Sequence, residues 1–170
     1  MGDRFDRIIE AVLDREGPTE SGRDQKTRWG VIQQDLVRAV ALGIVVPGFP
    51  LDGVTRGVAS AIFRGCYWEL GGFDRIERDD LAGKILDMSL PMGIGWAVKC
   101  LQRALRACGR AVADDGRLGP ITLSAVAERS LACPEALLAA YRSECAGYFR
   151  RCTGPVAEES LAGWLVRAYQ

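Results

Sequence analysis

The chain has 170 residues, 22 of them basic and 22 acidic, and no histidine. That length suits one compact domain, or one domain with a small appendage, and the balanced charge argues against a general nucleic-acid binder. The missing histidine removes Ser-His-Asp and Cys-His catalysis, His-ligated zinc and any histidine pH switch, so any proton transfer falls first to carboxylates.

Phe5, Ile8, Ile9, Val12 and Leu13 recur at helical spacing and predict an amphipathic helix from about Arg4 to Arg15. The pattern runs into Glu16 and stops on Gly17-Pro18. A polar loop follows, and Thr27-Arg28-Trp29-Gly30-Val31 turns apolar again. A second helix is expected from about Val31 to Leu42, then a loop at Pro47-Gly48-Phe49-Pro50. Asp52 is the candidate cap of a third helix that reaches Tyr67-Trp68. Gly71-Gly72 breaks the chain. Asp79 or Asp80 starts a helix toward Leu90, with an interruption expected near Pro91. Gly93 to Cys108 reads as helix, with Ala97, Leu101, Ala104, Leu105 and Cys108 on one face. Further helices are expected near Pro134 and Glu158. No run of alternating strands appears, so the class is all-α, with a small β-hairpin allowed in the polar loop. A soft boundary at 71 to 80 separates an N-terminal region, 1–75, from a C-terminal one, 76–170, and the two are expected to pack as one compact unit.

The six cysteines form no CxxC pair, and no metal site is expected. Cys100, Cys108 and Cys145 fall on apolar helical phases, where a free thiol acts as a small hydrophobe. The opening MGDRFDRIIE is charged and amphipathic, unlike a signal peptide, so synthesis in the cytoplasm without a signal peptide is expected. The longest apolar run, Ala39 to Val46, is too short to span a membrane. Lys99 to Arg151 carries nine basic and five acidic residues, a bias that a solvated helix surface explains.

Three stretches bear on chemistry. Glu16 ends a helix, where the negative end of the macrodipole disfavours a carboxylate. Apolar cover adds to that effect and makes such a group a general-acid candidate; an exposed glutamate in a turn is the plainer reading. Asp114-Asp115-Gly116-Arg117-Leu118-Gly119-Pro120-Ile121-Thr122 reads as a tight turn, with Pro120 suited to the first turn of a helix. Its acids lack EF-hand spacing. Ala97 to Leu105, AVKCLQRAL, is by itself only an amphipathic helix.

Taken in order, these segments resemble glycoside hydrolase family 108, the N-acetylmuramidases or lysozyme-like endolysins, some called secretion-activator proteins. Glu16-Gly17 and Thr27-Arg28-Trp29-Gly30-Val31 stand where that family has Glu-Gly-Gly and a Thr-x-Tyr/Trp-Gly-Ile segment. Tyr67-Trp68 matches its Tyr-Trp pair. Leu101 to Leu105, Asp115 to Leu123 and Gly163 to Arg167 match its C-terminal peptidoglycan-binding-type region. The chain departs at Pro18, in place of the second glycine. It departs again in the shortened loop Asp24-Gln25-Lys26, and at Leu90-Pro91-Met92-Gly93, where the family often has Val-Asn-x-Gly.

The resemblance implies a lysozyme-like helical fold. It also implies hydrolysis of the β-1,4 bond between N-acetylmuramic acid and N-acetylglucosamine, with Glu16 as the acid that protonates the leaving oxygen. Asp24 is the candidate second carboxylate, with Glu20 as fallback, and Thr27 is placed to orient water; either acid reads equally as a solvated loop residue. Trp29, Tyr67 and Trp68 are candidate sugar-stacking rings, although core packing explains each ring equally well and Trp68 better, and Gln102 is the candidate polar contact. No cofactor is implied. The expected partners are peptidoglycan glycan strands, reached at the cell wall or periplasm through a holin-like pore or another export route. A non-catalytic wall-binding module, or a secretion-accessory protein that kept the fold, remains the alternative.

Overall fold

The computed structural model describes residues 3–18, 20–21 in backbone only, and 26–170. The chain divides into two units, Met1–Asp74 and Arg75–Gln170. Among the described residues the fold is all-α with one small hairpin.

The first unit opens with α1, Arg4–Glu16. Asp3 caps it: its carboxylate accepts the Asp6 N–H at 3.0 Å while that of Asp6 accepts the Asp3 N–H at 3.0 Å, a reciprocal box that satisfies orphan donors. Phe5, Ile9, Val12 and Leu13 are buried, as the helical period predicts. The helix ends because Gly17 takes a left-handed φ of 64° and returns its N–H to the Leu13 carbonyl at 3.1 Å. Strands β1, Glu20–Ser21, and β2, Lys26–Thr27, pair antiparallel, with Glu20 opposite Thr27. Helix α2 spans Gln33–Ala41.

Helix α3, Arg56–Phe63, is capped by Thr55, whose hydroxyl accepts the Val58 N–H at 3.3 Å. The expectation that Asp52 caps this helix is corrected. Asp52 lies in a 3₁₀ turn, Leu51–Gly53, and its carboxylate pairs with Lys26 at 2.8 Å. The chain turns helical only after Thr55, so only the Thr55 oxygen meets the free N–H groups. Helix α3 runs on into a π-helical stretch, Arg64–Glu69, that buries Cys66, Tyr67 and Trp68. Trp68 meets Phe5 and Phe73 edge-on at 5.7 and 6.4 Å and belongs to the core.

The second unit contains α4, Asp79–Met92, α5, Ile94–Ala107, α6, Pro120–Ala132, α7, Pro134–Arg151, and α8, Pro155–Tyr169. The last three each start on proline, where its missing N–H is harmless. Helix α6 is longer than Pro120 alone suggests, and α8 begins ahead of Glu158. The interruption expected near Pro91 falls just beyond it: α4 takes Pro91 into its last turn and ends at Met92, where Gly93 has a φ of 80°. Proline cannot bond the carbonyl four residues back, which here is that of Asp87. Arg167 of α8 takes that carbonyl instead, at 3.2 Å, while its Nε donates to Asp87 Oδ1 at 3.0 Å. Lys84 adds a bond to Asp87 Oδ2 at 3.1 Å and another to the Arg167 carbonyl. The core around this knot is Leu81, Ile85, Leu86, Leu101, Leu105, Leu137, Tyr141 and Phe149.

Candidate active site

Glu16 is the last residue of α1 and only 9% exposed. Its cover comes from the far side of the polar loop. Arg28 and Val31 exchange both backbone hydrogen bonds at 3.0 Å, which leaves Trp29-Gly30 as a two-residue turn. Both have positive φ, 53° and 76°, the signature of the tight turn whose twist matches a hairpin. Gly30 lies directly on the Glu16 side chain. A Cβ there would come within 2.8 Å of Cγ, 2.9 Å of Cδ and 3.0 Å of Oε2.

Two contacts hold this turn in place. Arg28 Nε donates to the Val54 carbonyl at 3.0 Å. Arg56, at the start of α3, lies 5.6 Å from the Trp29 ring. The same guanidinium pairs with Asp14 at 2.8 Å and with Glu10, both on α1. Arg56 therefore ties the helix that carries Glu16 to the ring that stands beside it. Neither arginine is marked by the sequence pattern; each reads as one more surface cation until the fold closes. Trp29 is half-buried. Thr27, half-buried in β2, leads into the turn. Asp24 lies outside the described residues, and so does the Glu20 side chain.

Tyr67 does not present a stacking face. It is 5% exposed, and its hydroxyl donates to Asp35 Oδ1 at 2.6 Å. Burial first, and then the adjacent Asp35 carboxylate, raise its pKa well above the ordinary range, so it remains a phenol and a donor. Asp35 also accepts the Ile32 N–H at 3.1 Å through Oδ2. An acid in the first turn of α2 was the one available signal of this buried pair. Burial also pushes the Cys66 thiol up to about 11, so it is an inert core thiol.

Gln102 lies in the second unit and is 1% exposed. Its amide nitrogen donates to Asp115 Oδ1 at 2.7 Å, the Arg117 carbonyl at 3.1 Å and Thr122 Oγ1 at 3.3 Å. Its oxygen accepts the Gly116 N–H at 2.9 Å. Both ends of the amide are used inside the protein, holding the Asp115-Gly116-Arg117 turn against α5. The turn's fit is close: a Cβ on Gly116, whose φ is 73°, would meet the Gly95 carbonyl at 2.8 Å. Among the described residues no cluster of three or more His, Cys, Asp or Glu side chains could hold a metal ion, and no helix is long and apolar enough to cross a membrane.

Residues 96–169 match a family described as "Predicted Peptidoglycan domain". That stretch runs from α5 to α8 within the second unit, and the match supports peptidoglycan as a partner. The solved structure of Brucella abortus SagA is similar over 97% of this chain and 89% of its own, at 21% identity and a TM-score of 0.78. At that identity the likeness shows the fold. No curated protein sequence matches the chain.

Proposed function

We propose that the protein is a peptidoglycan hydrolase of the N-acetylmuramidase type, as the resemblance to glycoside hydrolase family 108 implies, with Glu16 as its general acid. The observation that carries this reading is the seating of Gly30 on the Glu16 side chain. The turn leaves no space for a side chain there and limits the carboxyl's access to water. A buried acid at the edge of a loop bearing a half-buried tryptophan suits protonation of a glycosidic oxygen as the bond to the sugar breaks. The developing oxocarbenium-like charge needs a second group. Asp24, with water oriented by Thr27, is the proposed one. A carboxyl separation of roughly 6.5–9.5 Å would make the enzyme inverting, and roughly 5–5.5 Å retaining.

The test is release of reducing ends from purified sacculi. Glu16→Gln should lower the rate by about 100-fold or more while keeping the fold. Asp24→Asn should also lower it, and Glu20→Gln should not. If wild type and Glu16→Gln both release nothing yet bind sacculi, the protein is a wall-binding module, the reading favoured by the family match to the second unit. The site of action is proposed as the wall or periplasm, reached through a holin-like pore or another export route. Fractionation during lysis tests this, and protein confined to the cytosol would overturn it.

A further inference from the structure

A concave site lies wholly within the second unit. It is a cleft of about 280 Å³ between residues 75–78, just ahead of α4, and one face of α6. Its apolar side is Ile76, Leu123, Val126, Ala127 and Leu131; the polar lining is Arg75, Arg78 and Ser130, with the carboxylate of Glu77 as the one acidic member. The Arg78 Nη2 atom is 2.5 Å from Asp80 and 3.9 Å from Glu135. Its other terminal nitrogen, Nη1, is buried and has no hydrogen-bond partner among the described residues, and the same is true of Ser130 Oγ. Two such groups beside one cleft are unusual, because buried donors in folded proteins are nearly always paired. Arg75 adds a second guanidinium, positioned by a bond from its Nη2 to the Leu118 carbonyl at 2.9 Å.

We infer that this cleft holds the alanine-ended, free carboxyl terminus of a peptidoglycan stem peptide. A guanidinium matches a carboxylate with two parallel hydrogen bonds. Rotation of the Arg78 guanidinium toward the cleft exchanges its contact with Asp80 for the ligand carboxylate and gives Nη1 its missing acceptor. The Ser130 hydroxyl can serve the adjoining amide. Leu123, Val126 and Ala127 share one helical face and offer methyl-sized contacts. The volume is at the small end for ligand clefts, which fits a short peptide end better than a run of sugars. Stem peptides are short, end in alanine, and project from the same glycan that Glu16 is proposed to cut. The ligand's origin therefore rests on the peptidoglycan reading; the carboxylate chemistry does not. A protein C terminus shares that chemistry, and stereochemistry separates the two sources.

Calorimetric titration of the full-length chain with a synthetic stem pentapeptide ending in D-alanyl-D-alanine tests the inference. Binding is expected, weakened about tenfold or more by C-terminal amidation of the peptide or by Arg78→Gln. Ala127→Trp, which fills the cleft from an exposed helical position, should abolish it, and Glu16→Gln should leave it unchanged. Circular dichroism verifies that each variant is folded. The inference is overturned if the pentapeptide does not bind, if Arg78→Gln and Ala127→Trp both bind it normally, or if the all-L isomer binds equally well. Reducing-end release without peptide binding would overturn the cleft alone. Peptide binding without reducing-end release would remove the hydrolase reading and leave the cleft standing.

Discussion

Gly30 has two reasons to be glycine. Its φ of 76° strains any residue with a Cβ, and that Cβ would press on the Glu16 side chain. Gly30→Ala should destabilise the protein by about 1–2 kcal/mol and displace the acid, lowering reducing-end release by more than the stability loss explains. Thermal melts read beside the rate at low temperature test this. Asp3 offers a pH readout. Its carboxyl is held down to about 2 from an ordinary 3.8, first by the hydrogen bond from Arg64 and then by the Asp6 N–H. A lowered folded-state pKa contributes stability that is present above 3.8 and is lost as pH falls toward about 2. Asp3→Asn still caps α1 but cannot ion-pair. Melting temperatures of wild type and Asp3→Asn should therefore differ at neutral pH and converge across that acid window. At this scale the helix end at Glu16 was legible, since periodicity and Gly17 are local signals. What lies against that acid was hidden, because Gly30 arrives by way of a turn. Tyr67 and Gln102 were visible as polar-tipped residues on helices, but the same pattern serves an outward contact and an internal bond.

Among the elements, α4 shows what completes a helix whose last turn holds a proline. The helix ends one residue after Pro91, and the Asp87 carbonyl that Pro91 leaves open is bonded by Arg167 from a distant helix. Removing one partner from a buried charge network typically costs about 3–5 kcal/mol. Arg167→Met should approach that range. In a Pro91→Ala background the loss should shrink by about 1 kcal/mol, because alanine supplies the N–H that restores the helical bond to the Asp87 carbonyl. Equal losses in both backgrounds, by denaturant titration, would show that the carbonyl bond contributes nothing. Gln102→Leu is the second test. It strands the Gly116 N–H and should destabilise by about 2–3 kcal/mol, with KM on sacculi unchanged below the melting transition. A raised KM without a lowered melting temperature would restore the substrate-contact reading. The late Gly-Trp-Leu-x-Arg segment was legible as a motif, while its task of completing another helix was not. The α3 cap was misplaced for a related reason: Asp52 and Thr55 are both good caps, and only the 3₁₀ turn between them decides which one meets the helix.

For the whole molecule, the sequence conveyed the helical class through periodicity, since few other patterns compete with it over so many turns. The hairpin came only as an allowance, because strands of two residues carry no period to read. The peptidoglycan match falls inside the second unit, while Glu16 and its covering turn belong to the first. Recognition of the wall and the proposed cleavage of the wall thus rest on separate observations, and either can fail alone. The chain passes from one unit to the other a single time, at Asp74 to Arg75. For a gene this means that one crossover, at one codon junction, exchanges either half intact. A lineage could keep the half that bears Glu16 and adopt a new recognition half in a single recombination event, faster than point mutation could reshape it.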